Sequence, residues 1–107
     1  MTFEQRISAF NELGQFFNFI INNEKTNDEG LNTKFEGWKE EANYDISDAE
    51  AYNNWFTKEN VSLALTSWSE ALTTENLTAW AQQYAFATTP KNVGIIMAGN
   101  LPLVGFH

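Results

Sequence analysis

Between Phe3 and Tyr84 several segments carry apolar residues three and four positions apart, and after Pro90 that pattern is gone: Asn92-Val93-Gly94-Ile95-Ile96-Met97-Ala98 is a continuous, largely β-branched apolar run. A 3.6-residue period places such residues along one stripe of a helix, whereas an unbroken run suits a strand covered on both faces. The chain is therefore expected to change secondary-structure type once, near Pro90.

Within the periodic part the pattern predicts about five helices. Thr2 with Gln5 has capping-box spacing, and Phe3, Ile7, Phe10, Phe17 and Ile21 follow on one face, predicting a helix from about Thr2 to Asn23 with Gly14 in the open slot. Asn22 to Lys34 is a run of polar turn formers without a period, expected as a surface loop. Phe35, Trp38 and Ala42 predict a short helix, 43–46 a connection, and Ser47 with Glu50 a second capping box opening a helix to about Phe56. Thr57 is placed to cap a helix carrying Val61, Leu65, Trp68 and Leu72, and Thr73 or Thr74 one carrying Leu77, Trp80, Ala81 and Tyr84. The fold class expected is mainly α, with 1–89 a helical N-terminal region and 90–107 the first strand and turn of a nucleotide-binding domain that is cut off.

Charge and composition exclude several functions. Six Lys and Arg against fourteen Asp and Glu give a net charge of -8, so neither a nucleic-acid backbone nor an anionic membrane surface is an expected partner. No stretch approaches the ~20 apolar residues of a membrane span, and the N-terminus, Met1-Thr2-Phe3-Glu4, lacks a basic region followed by an apolar run, which makes the cytoplasm the expected location. With no cysteine, the 107 residues hold no disulfide, thiolate metal site or thiol nucleophile. A chain of this size is expected to bury roughly 66% of its unfolded surface.

A lone strand leaves its backbone N–H and C=O groups without partners. The chain is thus expected to be the N-terminal part of a longer protein, or else an all-α domain whose tail packs as an extended arm. If the strand is exposed, self-association through 92–106 follows by edge pairing or swapping.

The segment Pro90-Lys91-Asn92-Val93-Gly94-Ile95-Ile96-Met97-Ala98-Gly99-Asn100-Leu101-Pro102-Leu103-Val104-Gly105-Phe106-His107 resembles the acyl-CoA reductase family, which is related to the fatty-acid reductase of the bacterial luciferase system and belongs to the aldehyde dehydrogenase superfamily. Asn54-Trp55-Phe56-Thr57, Glu59-Asn60-Val61 and the Leu/Trp helices resemble its N-terminal region more loosely. The resemblance implies an oxidoreductase that takes an acyl thioester to an aldehyde with NADPH. It assigns Asn100 as the oxyanion-stabilising amide and Met97, Ala98 and Gly99 as the border of the cofactor; no metal is implied. Gly99 stands where many aldehyde dehydrogenases have a Trp. The cysteine nucleophile and a later glycine-rich loop must lie outside these residues, so this polypeptide alone is expected to be inactive.

Other readings are weaker. His107 is the single histidine, too few for a metal site. Glu40-Glu41, Asp28-Glu29, Asp48 and Glu50 suit solvated surfaces better than acid–base pairs. Trp55, Trp68 and Trp80 fall at helical spacing and are expected mostly in the core, and nothing in the sequence supports an acyl pocket among Phe10, Phe17 and Ile21. The alternative to the enzyme is an acidic helical interaction module, marked by an apolar groove for a partner helix with residues 91–107 packed back on the bundle.

Overall fold

A computed structural model describes residues 1–86 and 89–103. Four helices follow one another: α1 (Phe3–Asn22), α2 (Glu29–Tyr52), α3 (Lys58–Ala71) and α4 (Thr74–Ala81). The chain is mainly helical, and among the described residues no helix is long and apolar enough to cross a membrane.

The start of α1 is the reciprocal cap that its sequence predicts. Thr2 Oγ1 accepts the Gln5 backbone N–H at 3.2 Å, and the Thr2 N–H donates to Gln5 Oε1 at 2.7 Å. Asn23, in the left-handed region at φ 54°, ends the helix. Between these ends α1 packs against all three other helices. At Gly14 it meets the end of α3 so closely that a Cβ there would lie 2.8 Å from both the Cβ and the carbonyl oxygen of Leu72. Gly14 therefore sets the spacing of the two helices, and any side chain at this point pushes backbone apart.

The second helix corrects the sequence pattern. The predicted loop is present only over 23–28; from Glu29 the rest of it, the short helix, the connection and most of the further helix are one 24-residue helix, so the described residues hold four helices and not five. Asp28 is the true cap: its Oδ1 accepts the N–H groups of Gly30 at 2.8 Å and Leu31 at 3.1 Å. Ser47 is inside the helix, its hydroxyl donating to the Asn43 carbonyl four residues back. Leu31, Phe35, Trp38, Ala42, Ile46 and Ala49 then form one continuous stripe with a helical period, which the polar residues between them hide.

Thr57 and Thr73 cap α3 and α4 as predicted, accepting the N–H groups of Asn60 and Asn76 at 3.2 Å. Asn11 on α1 holds the first N–H of α4 through its Oδ1 at 3.1 Å, which ties the α3–α4 corner to the central helix. Phe19 and Phe35 are fully buried between α1 and α2, while Leu65, Leu72 and Ala81 fill the smaller core of α1, α3 and α4.

After α4 the prediction of a strand fails. Among the described residues no strand forms, and 90–103 run without regular structure beyond bends and turns. The reason is the one that makes a lone strand costly: no second strand is there to satisfy its backbone groups. The accessible surface is 8120 Å², against about 6,100 Å² for a compact monomer of this mass. Folding therefore buries about 54% of the extended chain's surface, not the 66% expected from length. The radius of gyration, 15.4 Å, likewise exceeds the ~13 Å of a compact chain of this length.

Candidate functional site

Among the described residues, two regions bear on function. The first is the turn to which the family resemblance assigns a role. Met97, Ala98, Gly99 and Asn100 are all exposed, at the end of a segment in which Val93, Ile95 and Ile96 are 78%, 67% and 104% exposed. An apolar segment so fully presented to water is unusual for a settled surface. It is anchored at its far end by Asn53, the residue that closes α2.

Asn53 uses its whole amide. Its Oδ1 accepts the Trp55 N–H at 3.0 Å, its Nδ2 donates to the Gly99 carbonyl at 2.7 Å, and its backbone N–H donates to the Ala49 carbonyl at 3.1 Å. Asn60 continues the lattice, its Nδ2 donating to the Trp55 carbonyl at 2.9 Å. The tight loop between α2 and α3 is thus stitched by two asparagine amides, and one of them also fixes the Gly99–Asn100 turn. Pro102 and Leu103 follow half-buried, with Leu103 in the left-handed region at φ 58°. A Cβ on Gly99 would meet nothing within 4 Å, so the backbone there is open to a ligand.

The second region is a groove of about 570 Å³ between α1, the end of α3 and α4. Phe3 and Phe10 line it from α1, Trp68 and Leu72 from α3, and Leu77 and Trp80 from α4. Phe86 closes one end against Phe3, their rings 5.6 Å apart. Helical spacing alone predicts Trp80 in the core; instead it is 49% exposed in the groove wall. The volume falls within the 300–1,000 Å³ of ordinary small-molecule sites. The Trp55 ring, by contrast, is 64% exposed on the α2–α3 loop and does not line the groove.

The groove that marks an interaction module is therefore present, but Val93 to Met97 do not pack back on the helices. Among the described residues no three His, Asp or Glu side chains are grouped to hold a metal. The roles considered for His107 and for 104–106 lie outside the described residues. Compared with protein-family models, curated proteins and solved structures, the chain matches none.

Proposed function

We propose that these residues are the N-terminal helical part of an acyl-CoA reductase-like oxidoreductase of the aldehyde dehydrogenase superfamily, reducing an acyl thioester to an aldehyde with NADPH. The observation that carries the reading is the hydrogen bond from Asn53 to the Gly99 carbonyl. It joins the turn around Asn100 to the loop next to Asn54–Val61, so the two stretches that resemble the family meet in space. The exposed apolar run before that turn adds support, because residues 93–97 have the composition of a sheet-interior strand, and Val93, Ile95, Ile96 and Met97 remain more than half open to water.

In this reading the side-chain amide of Asn100 donates to the oxyanion that forms when a cysteine thiolate, from outside these residues, attacks the thioester carbonyl. The carbonyl then re-forms as the leaving thiolate departs. The open backbone at Met97, Ala98 and Gly99 suits a flat cofactor ring, with Gly99 offering no side chain in its way. NADPH, when bound, supplies the hydride that converts the acyl group to aldehyde.

The test begins with the intact mass of the native polypeptide. A product carrying these residues and a cysteine should oxidise NADPH in the presence of an acyl thioester. In it Asn100→Ala should lower kcat by roughly 10²–10³, the usual loss for one oxyanion donor. Unchanged turnover, or a native product with no cysteine, overturns the reading.

The exposed run also supports self-association of the 107-residue chain through 92–106. Sedimentation velocity should show the average mass rising with concentration, and Ile95→Lys with Ile96→Lys should abolish the rise. A monomer at every concentration overturns this.

A further inference from the structure

The groove between α1, α3 and α4 contains a single charged residue among those that line it, Arg6. Its neighbours there are Phe3, Phe10, Trp68, Leu77 and Trp80. The chain carries fourteen acidic residues against six basic ones. Yet the Arg6 side chain has no ion pair or hydrogen bond among the described residues, whereas Lys34 pairs with Glu12 and Lys39 with Glu36. The nearest carboxylate in sequence, Glu4, makes no ion pair with it, and its pKa is lowered first by its own backbone N–H and then by the Thr2 hydroxyl.

An apolar groove with one guanidinium that is unpaired among the described residues has the chemistry of an amphiphile site. Rings and leucines remove a hydrocarbon chain from water, and a planar fork of N–H donors recognises a carboxylate by two parallel hydrogen bonds. We propose that this groove binds a single-chain alkyl carboxylate, a free fatty acid, with its chain along Phe10, Leu77 and Trp80 and its head on Arg6. The site is separate from the turn at Asn100. Asn53, which holds Gly99, precedes the N-terminal end of α3, whereas Trp68 and Leu72 lie at the other end. The 14 residues of α3 put about 21 Å between those ends. The proposal therefore does not rest on the oxidoreductase reading and needs neither cofactor nor cysteine.

Two of the four tryptophans line the groove, so it reports its own occupancy. The experiment is a titration of the chain with dodecanoate, kept below its micelle concentration, read by tryptophan emission and by calorimetry. Dodecanol serves as the neutral control. Saturable one-to-one binding of dodecanoate is expected, weaker by at least about tenfold in Arg6→Gln, as for loss of a charge-assisted pair. Dodecanol should bind Arg6→Gln and the native chain alike. Ala71→Trp, which fills the groove from exposed helix, should abolish binding of both while circular dichroism remains unchanged. If that variant misfolds, the Arg6→Gln comparison decides alone. Equal binding of acid and alcohol to the native chain, or no saturable binding, overturns the proposal. So does tryptophan emission that shifts with protein concentration alone in the Ile95→Lys, Ile96→Lys chain, since a second copy would then fill the groove.

Discussion

Replacing Phe35 by alanine should remove about 3–5 kcal/mol of folding stability, the cost of deleting a fully enclosed ring and leaving its cavity. Phe35 is 0% exposed and stands between two rings of α1, with centroids 5.3 Å from Phe16 and 5.7 Å from Phe19. It is the residue through which the longest helix is held. Small domains have about 5–15 kcal/mol to lose, and one that buries so little surface belongs at the low end. Urea unfolding followed by circular dichroism should therefore show Phe35→Ala largely or wholly unfolded before denaturant is added. Trp55→Ala, at an exposed position, should stay within about 0.5 kcal/mol of the native chain. Similar midpoints for the two would mean that α2 is held by something other than this ring cluster.

The second large effect is expected at a polar residue. Asn32, 5% exposed, is the buried polar side chain of the described core. It treats Thr26 as a strand would treat its neighbour: Oδ1 accepts the Thr26 N–H at 2.8 Å and Nδ2 donates to the Thr26 carbonyl at 3.0 Å. The Thr26 hydroxyl lies 3.0 Å from Asn32 Oδ1 and the same distance from the Asp28 carbonyl, and it accepts the Asp28 N–H at 3.1 Å. One side chain thus closes the α1–α2 loop and sets Asp28 in place as the cap of α2. Asn32→Leu keeps the volume and orphans both Thr26 backbone groups, at about 1–3 kcal/mol for each buried group left unpaired. Partial access of water to Thr26 reduces the sum, so about 2–3 kcal/mol should be lost. Amide exchange at Thr26 should accelerate by the corresponding factor, and an unchanged rate would show that the loop is held without Asn32.

The same residue shows where the sequence was legible and where it was not. Thr2 with Gln5, Thr57 and Thr73 each stand directly before an apolar stripe, so propensity and burial point the same way and three of the four helix starts can be read. In α2 they point apart. Gly30, Asn32, Thr33 and Gly37 favour turns locally, and the α1 face that buries Phe35 overrides them through long-range packing that no window of sequence contains. Ser47 with Glu50 matched a capping box in spacing only, because a hydroxyl inside a helix finds an equally good acceptor four residues back. The apolar run at 92–98 carried a true signal for a strand, but a strand exists only with a partner, and the described residues provide none. Of the site, the resemblance supplied the turn at Met97 to Asn100, while its anchor, Asn53, gave no signal beyond being one of two adjacent asparagines. The groove was hidden for a different reason: Trp68, Leu77 and Trp80 have the spacing of core residues, yet the first two are only half-buried and Trp80 is exposed.

The large accessible surface of this chain also shapes its response to temperature. The heat-capacity change of unfolding scales with the apolar area newly hydrated, and here much of that area is wet before unfolding starts. With about 54% of the extended surface buried in place of 66%, the change should lie roughly a fifth below that of a compact domain of equal length. The curve of stability against temperature is then low and flat, unfolding spreads over a wide interval, and cooling weakens the fold little. Whatever covers the groove or the apolar run would steepen that curve as well as raise it.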